Sequence, residues 1–216
     1  MVSQKMKINA VECLQRHLFK IFYLSVIFSI LSLIGGCSTL SSNSFNPSVS
    51  WQNRYHTLNL IDQWTLRGSI AFHSPKKSFS AHLYWQQKNK NDYQLMLLGP
   101  LGMNTVQITG QRGLFTLKTS STSITATSPE QLVFRQLGWK IPLSNLDYWI
   151  RGIPSPLGTC VLSWDNYHHL QTLQQAGWQI HYLKYQTIGS VDLPTKIILH
   201  NHFISLHIAI YSWEPL

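Results

Sequence analysis

Residues 93–109 read YQLMLLGPLGMNTVQIT. Gly99-Pro100-Leu101-Gly102 in the middle is a tight-turn sequence, because proline presets φ at the second turn position and glycine suits the fourth. The strand-forming residues on either side make the stretch the tip of an antiparallel hairpin. Leu101 then stands at the apex, where turns normally carry Asn, Asp or Ser. It either folds back on Leu97, Met103 or a neighbouring strand, or stays outside for a purpose.

Upstream of the hairpin, period-two alternation continues. Leu66, Ile70 and Phe72 share one face of a strand, and Phe79, Ala81, Leu83 and Trp85 share one face of the next. Downstream, shorter strands are expected at 106–109, 114–117 and 124–127, and the chain closes with Trp178, Ile180 and Tyr182, then KIILHN and FISLHIAIYSW. The connections are too short for parallel crossovers, so an antiparallel meander is the expected topology.

Three helices accompany the strands. Trp51, Tyr55, Leu58 and Ile61 recur at helical spacing behind a Ser50 cap. Ser128-Pro129-Glu130-Gln131 is a helix start with proline at the first position and Gln131 at the capping-box position; Leu132, Val133 and Leu137 face inward and Gly138 ends the helix. A third helix near 144–151 puts Leu146, Trp149 and Ile150 on one face, and the prolines of GIPSP force an extended exit. Pattern alone thus gives an antiparallel sheet with three helices.

The N-terminus has a different character. Lys5, Lys7, Arg16 and Lys20 precede the apolar run IFYLSVIFSILSLI, which ends at Gly35-Gly36-Cys37. These are the parts of a secretory signal, and the run is short for a membrane span of ~20 residues. Residues 1–36 are therefore expected to be cleaved, 37–50 to be an acylated cysteine and a Ser/Asn-rich linker, and 51–216 one domain. Thirteen linker residues reach at most about 45 Å. Removing the signal's four basic and one acidic residues takes the net charge from +9 to +6. That suits an acidic partner or anionic headgroups, and no basic-aromatic cluster of a nucleic-acid groove appears. Cys13 leaves with the signal and Cys37 is acylated, so Cys160 is alone and no intrachain disulfide is expected.

The segments WTLRGSIAFH, HLYWQQ, YQLMLLGPLG, LGWKIPLSNLDYWIRGIPSP, LQQAGWQIHYLKY and LPTKIIL, behind the lipobox-like LIGGC, resemble the LolB family of outer-membrane lipoproteins across residues 51–213. The resemblance implies a mainly β, α+β fold: a curved, incomplete antiparallel barrel of about eleven strands, whose hydrophobic cavity is lidded by about three helices. It implies diacylation and N-acylation at Cys37, with Ser38 directing the chain to the outer membrane, facing the periplasm. It implies a monomer that accepts acylated lipoprotein cargo from the soluble carrier LolA and inserts it into the membrane, with no cofactor and no nucleic acid. It makes Pro100-Leu101-Gly102 a membrane-touching tip. Inward candidates for the cavity are Ile70, Phe72, Leu83, Trp85, Leu95, Leu97, Leu146, Trp149, Ile150, Trp178, Ile180, Ile208 and Ile210. Each such residue is more often plain core than ligand contact, since both look alike in sequence.

The rival readings are an enzyme, a lipoprotein of the same fold that binds or senses another lipid, and a structural lipoprotein of an assembly complex. Ser74-Pro75-Lys76-Lys77 fits S-x-x-K, but the companion S-D-N and K-T-G are absent and a basic hairpin tip accounts for it better. His168-His169 and the His200, His202 pair lack H-E-x-x-H, Cys160 has no second cysteine partner, and the histidines read as partly exposed strand histidines rather than metal ligands.

Overall fold

Alternating apolar and polar residues make two ten-residue strands, β1 (Trp64–His73) and β2 (Ser78–Gln87). The computed structural model describes residues 45–215; the signal-like segment, Cys37 and most of the linker lie outside the described residues, as do the side chains of Leu137 and Pro215. The hairpin at 93–109 follows as β3 (Tyr93–Leu98) and β4 (Val106–Gln111), then β5 (Leu114–Lys118) and β6 (Ser123–Ala126). After two helices come β7 (Cys160–Trp164), β8 (Leu170–Gln175), β9 (Trp178–Ile188), β10 (Val191–His200) and β11 (Ser205–Pro215).

All eleven strands form one antiparallel sheet in the order β6-β5-β4-β3-β2-β1-β11-β10-β9-β8-β7. The topology is two meanders joined where β1 lies beside β11, not the single run that short turns suggest. At this seam β1 bulges between Arg67 and Gly68, and a Cβ on Gly68 would collide with the Ala209 carbonyl oxygen. Glycine is what lets the two backbones approach. The sheet curves as an incomplete barrel whose free edges are β6 and β7, and the chain between those edges carries α2 (Pro129–Leu137) and α3 (Leu143–Ile150).

The helices begin where local chemistry starts them. In α1 (Trp51–Leu60) Ser50 Oγ accepts from Asn53 N at 3.3 Å, and Leu58 is buried. In α2 Ser128 Oγ accepts from Gln131 N, and Gly138 ends the helix at φ 77°. The carboxylate at the start of α2 that matters is Glu130 rather than the capping-box Gln131. Its Oε2 accepts from Ser128 Oγ (2.7 Å) and its Oε1 from Ser144 N (2.9 Å) and Oγ (2.8 Å), so it caps α3 as well.

The β7–β10 half is filled. Trp149 on α3 reaches Gln175 Oε1 through its indole N–H (2.8 Å), Tyr182 Oη donates to the Trp149 carbonyl (2.8 Å), and Leu173 and Ile180 are wholly buried. A buried ionic network closes one end of this half. Arg54 on α1 pairs with Asp192 Oδ2 at 2.5 Å and donates to the carbonyls of Tyr167 (3.0 Å) and Asn46 (3.1 Å). His169 lies between Asp165 (3.0 Å) and Asp192 (2.9 Å), stacks on Tyr185 at 4.4 Å and meets the edge of Phe45. This corrects the reading of His168 and His169 as strand histidines: His168 sits in a turn with φ 60°, and His169 is buried because two carboxylates and Tyr185 receive it. Arg151 is likewise buried, holding the Leu58 and Ile61 carbonyls at the end of α1, both at 2.8 Å.

Candidate functional site

Register decides which side chains meet inside the curve. Ile70 lies between Ala81 and Ile208, Phe72 between Phe79 and Leu206, and Leu83 beside Leu97, which in turn faces Val106. Trp85, Leu95, Ile108 and Leu117 form a continuous row from β2 to β5. The concave face so built is apolar for its whole width, and α3 supplies the opposite wall with Leu143, Leu146 and Ile150. What remains between them is a cavity of about 480 Å³.

Of the sequence candidates, Ile70, Phe72, Leu83, Trp85, Leu95, Leu97, Leu146, Ile150 and Ile208 line this cavity. Trp149, Trp178, Ile180 and Ile210 do not; they are buried in the packed core, Trp149 and Trp178 with ring centroids 6.4 Å apart. Period-two alternation assigns a face and cannot say whether the space over it is empty, so core and cavity residues were put together. The lining residues absent from the candidate set include Ile108, Leu117, Leu206, Val133 and Ile141. For the first three the same alternation was available, since they continue rows already begun by Leu95 and Ile208. Nothing local in sequence marks Ile141, which lies between two helices.

The mouth is polar. Asn104, Thr105, the Thr119–Thr122 turn and Gln136 edge it, and among the described residues Lys77 is the charged one of the lining, its ammonium 5.7 Å from the Phe79 ring centroid. Among the described residues no carboxylate faces the cavity. Ser74 and Lys77 bond to each other as a hairpin turn, Lys77 N to Ser74 Oγ (3.0 Å) and Ser74 Oγ to the Lys77 carbonyl (2.9 Å). Among the described residues no group of three His, Cys, Asp or Glu could hold a metal ion, and Cys160 is exposed and free.

Carboxyls around the lid are shifted in opposite directions. Burial works against ionisation of Glu130, yet the donors from Ser128 and Ser144 outweigh it and hold its carboxyl below the usual range. For Asp147 on α3 burial wins over Arg151 and pushes the carboxyl up. The buried Tyr93 hydroxyl, which has no hydrogen-bond partner among the described residues, is pushed up by burial and then by Glu130 and Asp147.

Beside the mouth stands the hairpin tip. Gly99 and Pro100 belong to the cavity lining, and Leu101, the next residue, is 95% exposed. Gly102 N donates to the Gly99 carbonyl at 3.0 Å and Met103 N to the Pro100 carbonyl at 3.2 Å. Leu101 has φ 58° and ψ 22°, the left-handed third position of a type II turn, which glycine ordinarily fills. A β-carbon on Gly99 would strike the Met103 carbonyl, so the turn is tight below its apex. Leu101 does not fold back; the side chain points away at a cost of about 1–2 kcal/mol in backbone strain.

Comparison with known proteins agrees with this geometry. The family model described as outer membrane lipoprotein LolB matches residues 62–213. An outer-membrane lipoprotein LolB of Coxiella burnetii is 42% identical over 187 residues, 84% of this chain and 88% of that one. Its counterpart in Pseudomonas syringae is 33% identical over 195 residues, 88% of this chain and 95% of that one. In fold, a LolA superfamily protein from Nitrosomonas europaea superposes with a TM-score of 0.53 at 11% identity, covering 78% of this chain and 94% of that chain. With an apolar cavity, an exposed leucine at its mouth and sequence similarity along most of its length, the chain belongs to the LolB family of outer membrane lipoproteins.

Proposed function

We propose that this chain is an outer-membrane receptor that takes acylated lipoproteins from the periplasmic carrier LolA, shelters their acyl chains in the cavity and releases them into the outer membrane. The observation that carries this reading is the pairing of the 480 Å³ apolar cavity with a fully exposed leucine on the hairpin whose base lines it. Three acyl chains of roughly fifteen methylenes, at ~0.8 kcal/mol each, would expose on the order of 30 kcal/mol of apolar surface to water. Free passage through the periplasm is therefore closed, and chains must move from one apolar container to another. A preference of ~2.7 kcal/mol for the receptor over the carrier is a hundredfold bias and needs no nucleotide.

In this reading residues 1–36 are removed, Cys37 carries the anchor, 37–50 is the tether and the domain acts as a monomer. Three chains on Cys37 make a firm attachment, since stable anchoring takes more than one. The role is binding and transfer rather than catalysis. Pro100-Leu101-Gly102 is the part that enters the bilayer and offers the cargo a continuous apolar exit.

The test mixes the chain with carrier-bound, tagged lipoprotein and follows the tag by co-purification, then adds liposomes. Wild type should acquire the cargo and pass it on. Leu101→Glu should acquire it equally and release at least tenfold less, with an unchanged circular dichroism spectrum. Cargo that stays on the carrier in the presence of folded wild type would reject the receptor reading.

A further inference from the structure

The strand pairings bring several turns to the end of the sheet that holds the cavity mouth. His73 lies opposite both Ser78 and Ser205, so the β1–β2 turn (74–77) stands beside the β10–β11 turn (201–204). On its other side follow the hairpin tip (99–105) and the β5–β6 turn (119–122), because Leu98 pairs with His82 and Lys118 with Gln107. Two of these turns hold a large apolar side chain outward. Leu101 is one. In the other, Asn201 Oδ1 accepts from the amides of Phe203 (2.8 Å) and Ile204 (2.9 Å); Ile204 is buried and Phe203 is 64% exposed. Half-buried Trp139 supports Phe203 from the helical side, their ring centroids 6.4 Å apart. Four strand spacings of ~4.8 Å separate the two turns, about 19 Å along the sheet.

Charge follows the same division. Exposed Lys76 and Lys77 lie in the turn between the two apolar points, exposed Lys118 ends β5 at this end, and exposed Lys140 follows Trp139. Among the described residues no carboxylate opposes them. Asp62, Asp92, Asp165, Asp192 and Glu214 stand at the opposite ends of their strands, and Glu130 and Asp147 lie near Tyr93, which begins β3 at that far end. A protein partner would need a socket for each apex at the right spacing. A bilayer admits both at any spacing and offers phosphates to the lysines between them.

We propose that this end of the sheet is a membrane-docking face with a second apolar contact at Phe203, and that Lys76, Lys77 and Lys140 hold anionic lipid headgroups beside it. Contact at Leu101 alone would leave the domain free to tilt about one point. With Phe203 also in the bilayer, the strands stand end-on and the cavity mouth is pressed to the lipid. This rests on the reading of Leu101 as the membrane-touching tip given above.

The experiment uses the domain without its anchor, since the core residues and strand pairings described here lie within 45–215. In a Cys160→Ser background, a bimane label is placed through Leu101→Cys, Phe203→Cys or, on an exposed apolar site in the middle of β9, Leu183→Cys. Vesicles of phosphatidylcholine with brominated acyl chains, with and without phosphatidylglycerol, quench a label that enters the bilayer. Labels at 101 and 203 should both be quenched, and the label at 183 should not. Phe203→Glu should weaken vesicle binding at least tenfold with an unchanged circular dichroism spectrum. Phosphatidylglycerol should tighten wild-type binding at least fivefold, and Lys76→Gln with Lys140→Gln should remove most of that gain. Quenching at 101 without quenching at 203 would overturn the docking face and leave the tip and the receptor reading standing. Equal quenching at 183 would overturn the end-on orientation, and quenching at neither turn would overturn the docking face and the tip together. A Phe203→Glu domain that binds vesicles normally but no longer acquires cargo from the carrier would assign Phe203 to a protein contact and overturn the proposal.

Discussion

The two halves of the sheet solve opposite problems. Around β7–β10 the concave side is filled by Trp149, Trp178, Leu173, Ile180 and Tyr182 and laced with buried hydrogen bonds and charges. Around β2–β6 the same apolar face looks onto 480 Å³ of space, its strands are as short as four to six residues from β3 onward, and α2 beside it is bonded to α3 through one carboxylate. The filled half contains the ionic network that joins α1 to β10. One half supplies stability so that the other can stay hollow, since an unfilled core forgoes contacts that a close-packed one keeps.

The sharpest way to break this contrast is to unpair the filled half. Asp192→Ala leaves Arg54 buried without its partner and takes an acceptor from His169 and Thr187, and should lower unfolding free energy by about 3–5 kcal/mol in urea titrations. A smaller effect compares matched truncations. Ile180→Ala opens a void in close-packed surroundings and should cost about 2–5 kcal/mol, whereas Ile70→Ala enlarges a space already present and should cost about 1 kcal/mol. Equal losses would mean that the cavity wall is packed as tightly as the core.

The smallest effect sharpens the contrast through pH. Glu130 and Asp192 both have carboxyls held below their ordinary values, the first against burial by Ser128 and Ser144, the second against burial by His169, Thr187 and Arg54. A depressed carboxyl stabilises the fold above its unfolded-state value, and that contribution is lost as pH falls through the folded-state value. Stability followed by thermal melts should therefore fall in acid below the ordinary carboxylate range. Asp192→Asn should flatten that slope more than Glu130→Gln, because the buried network couples more groups than the Glu130–Ser144 bridge.

Much of this was legible in the sequence because the signals were local. Ser128, Pro129 and Gly138 bracket α2, alternation from Phe79 to Trp85 marks β2, and Gly99-Pro100-Leu101-Gly102 marks the tip. The hollow was legible only through the family resemblance, since apolar residues over empty space repeat with the same period as those over a full core. That is why Trp149, Trp178, Ile180 and Ile210 were grouped with the true lining. The ionic network was not legible at all. Arg54 and Asp192 are 138 positions apart, and no spacing rule connects a helix residue to the second residue of a strand so distant.

The left-handed backbone at Leu101 has an engineering consequence. Glycine at this position would relieve the strain and expose less apolar surface, so a search for thermostable variants would be drawn to it. Such a search would discard the side chain that the membrane is proposed to meet. A sturdier molecule and a better receptor are then different sequences at position 101, and selection by heat alone would return the wrong one.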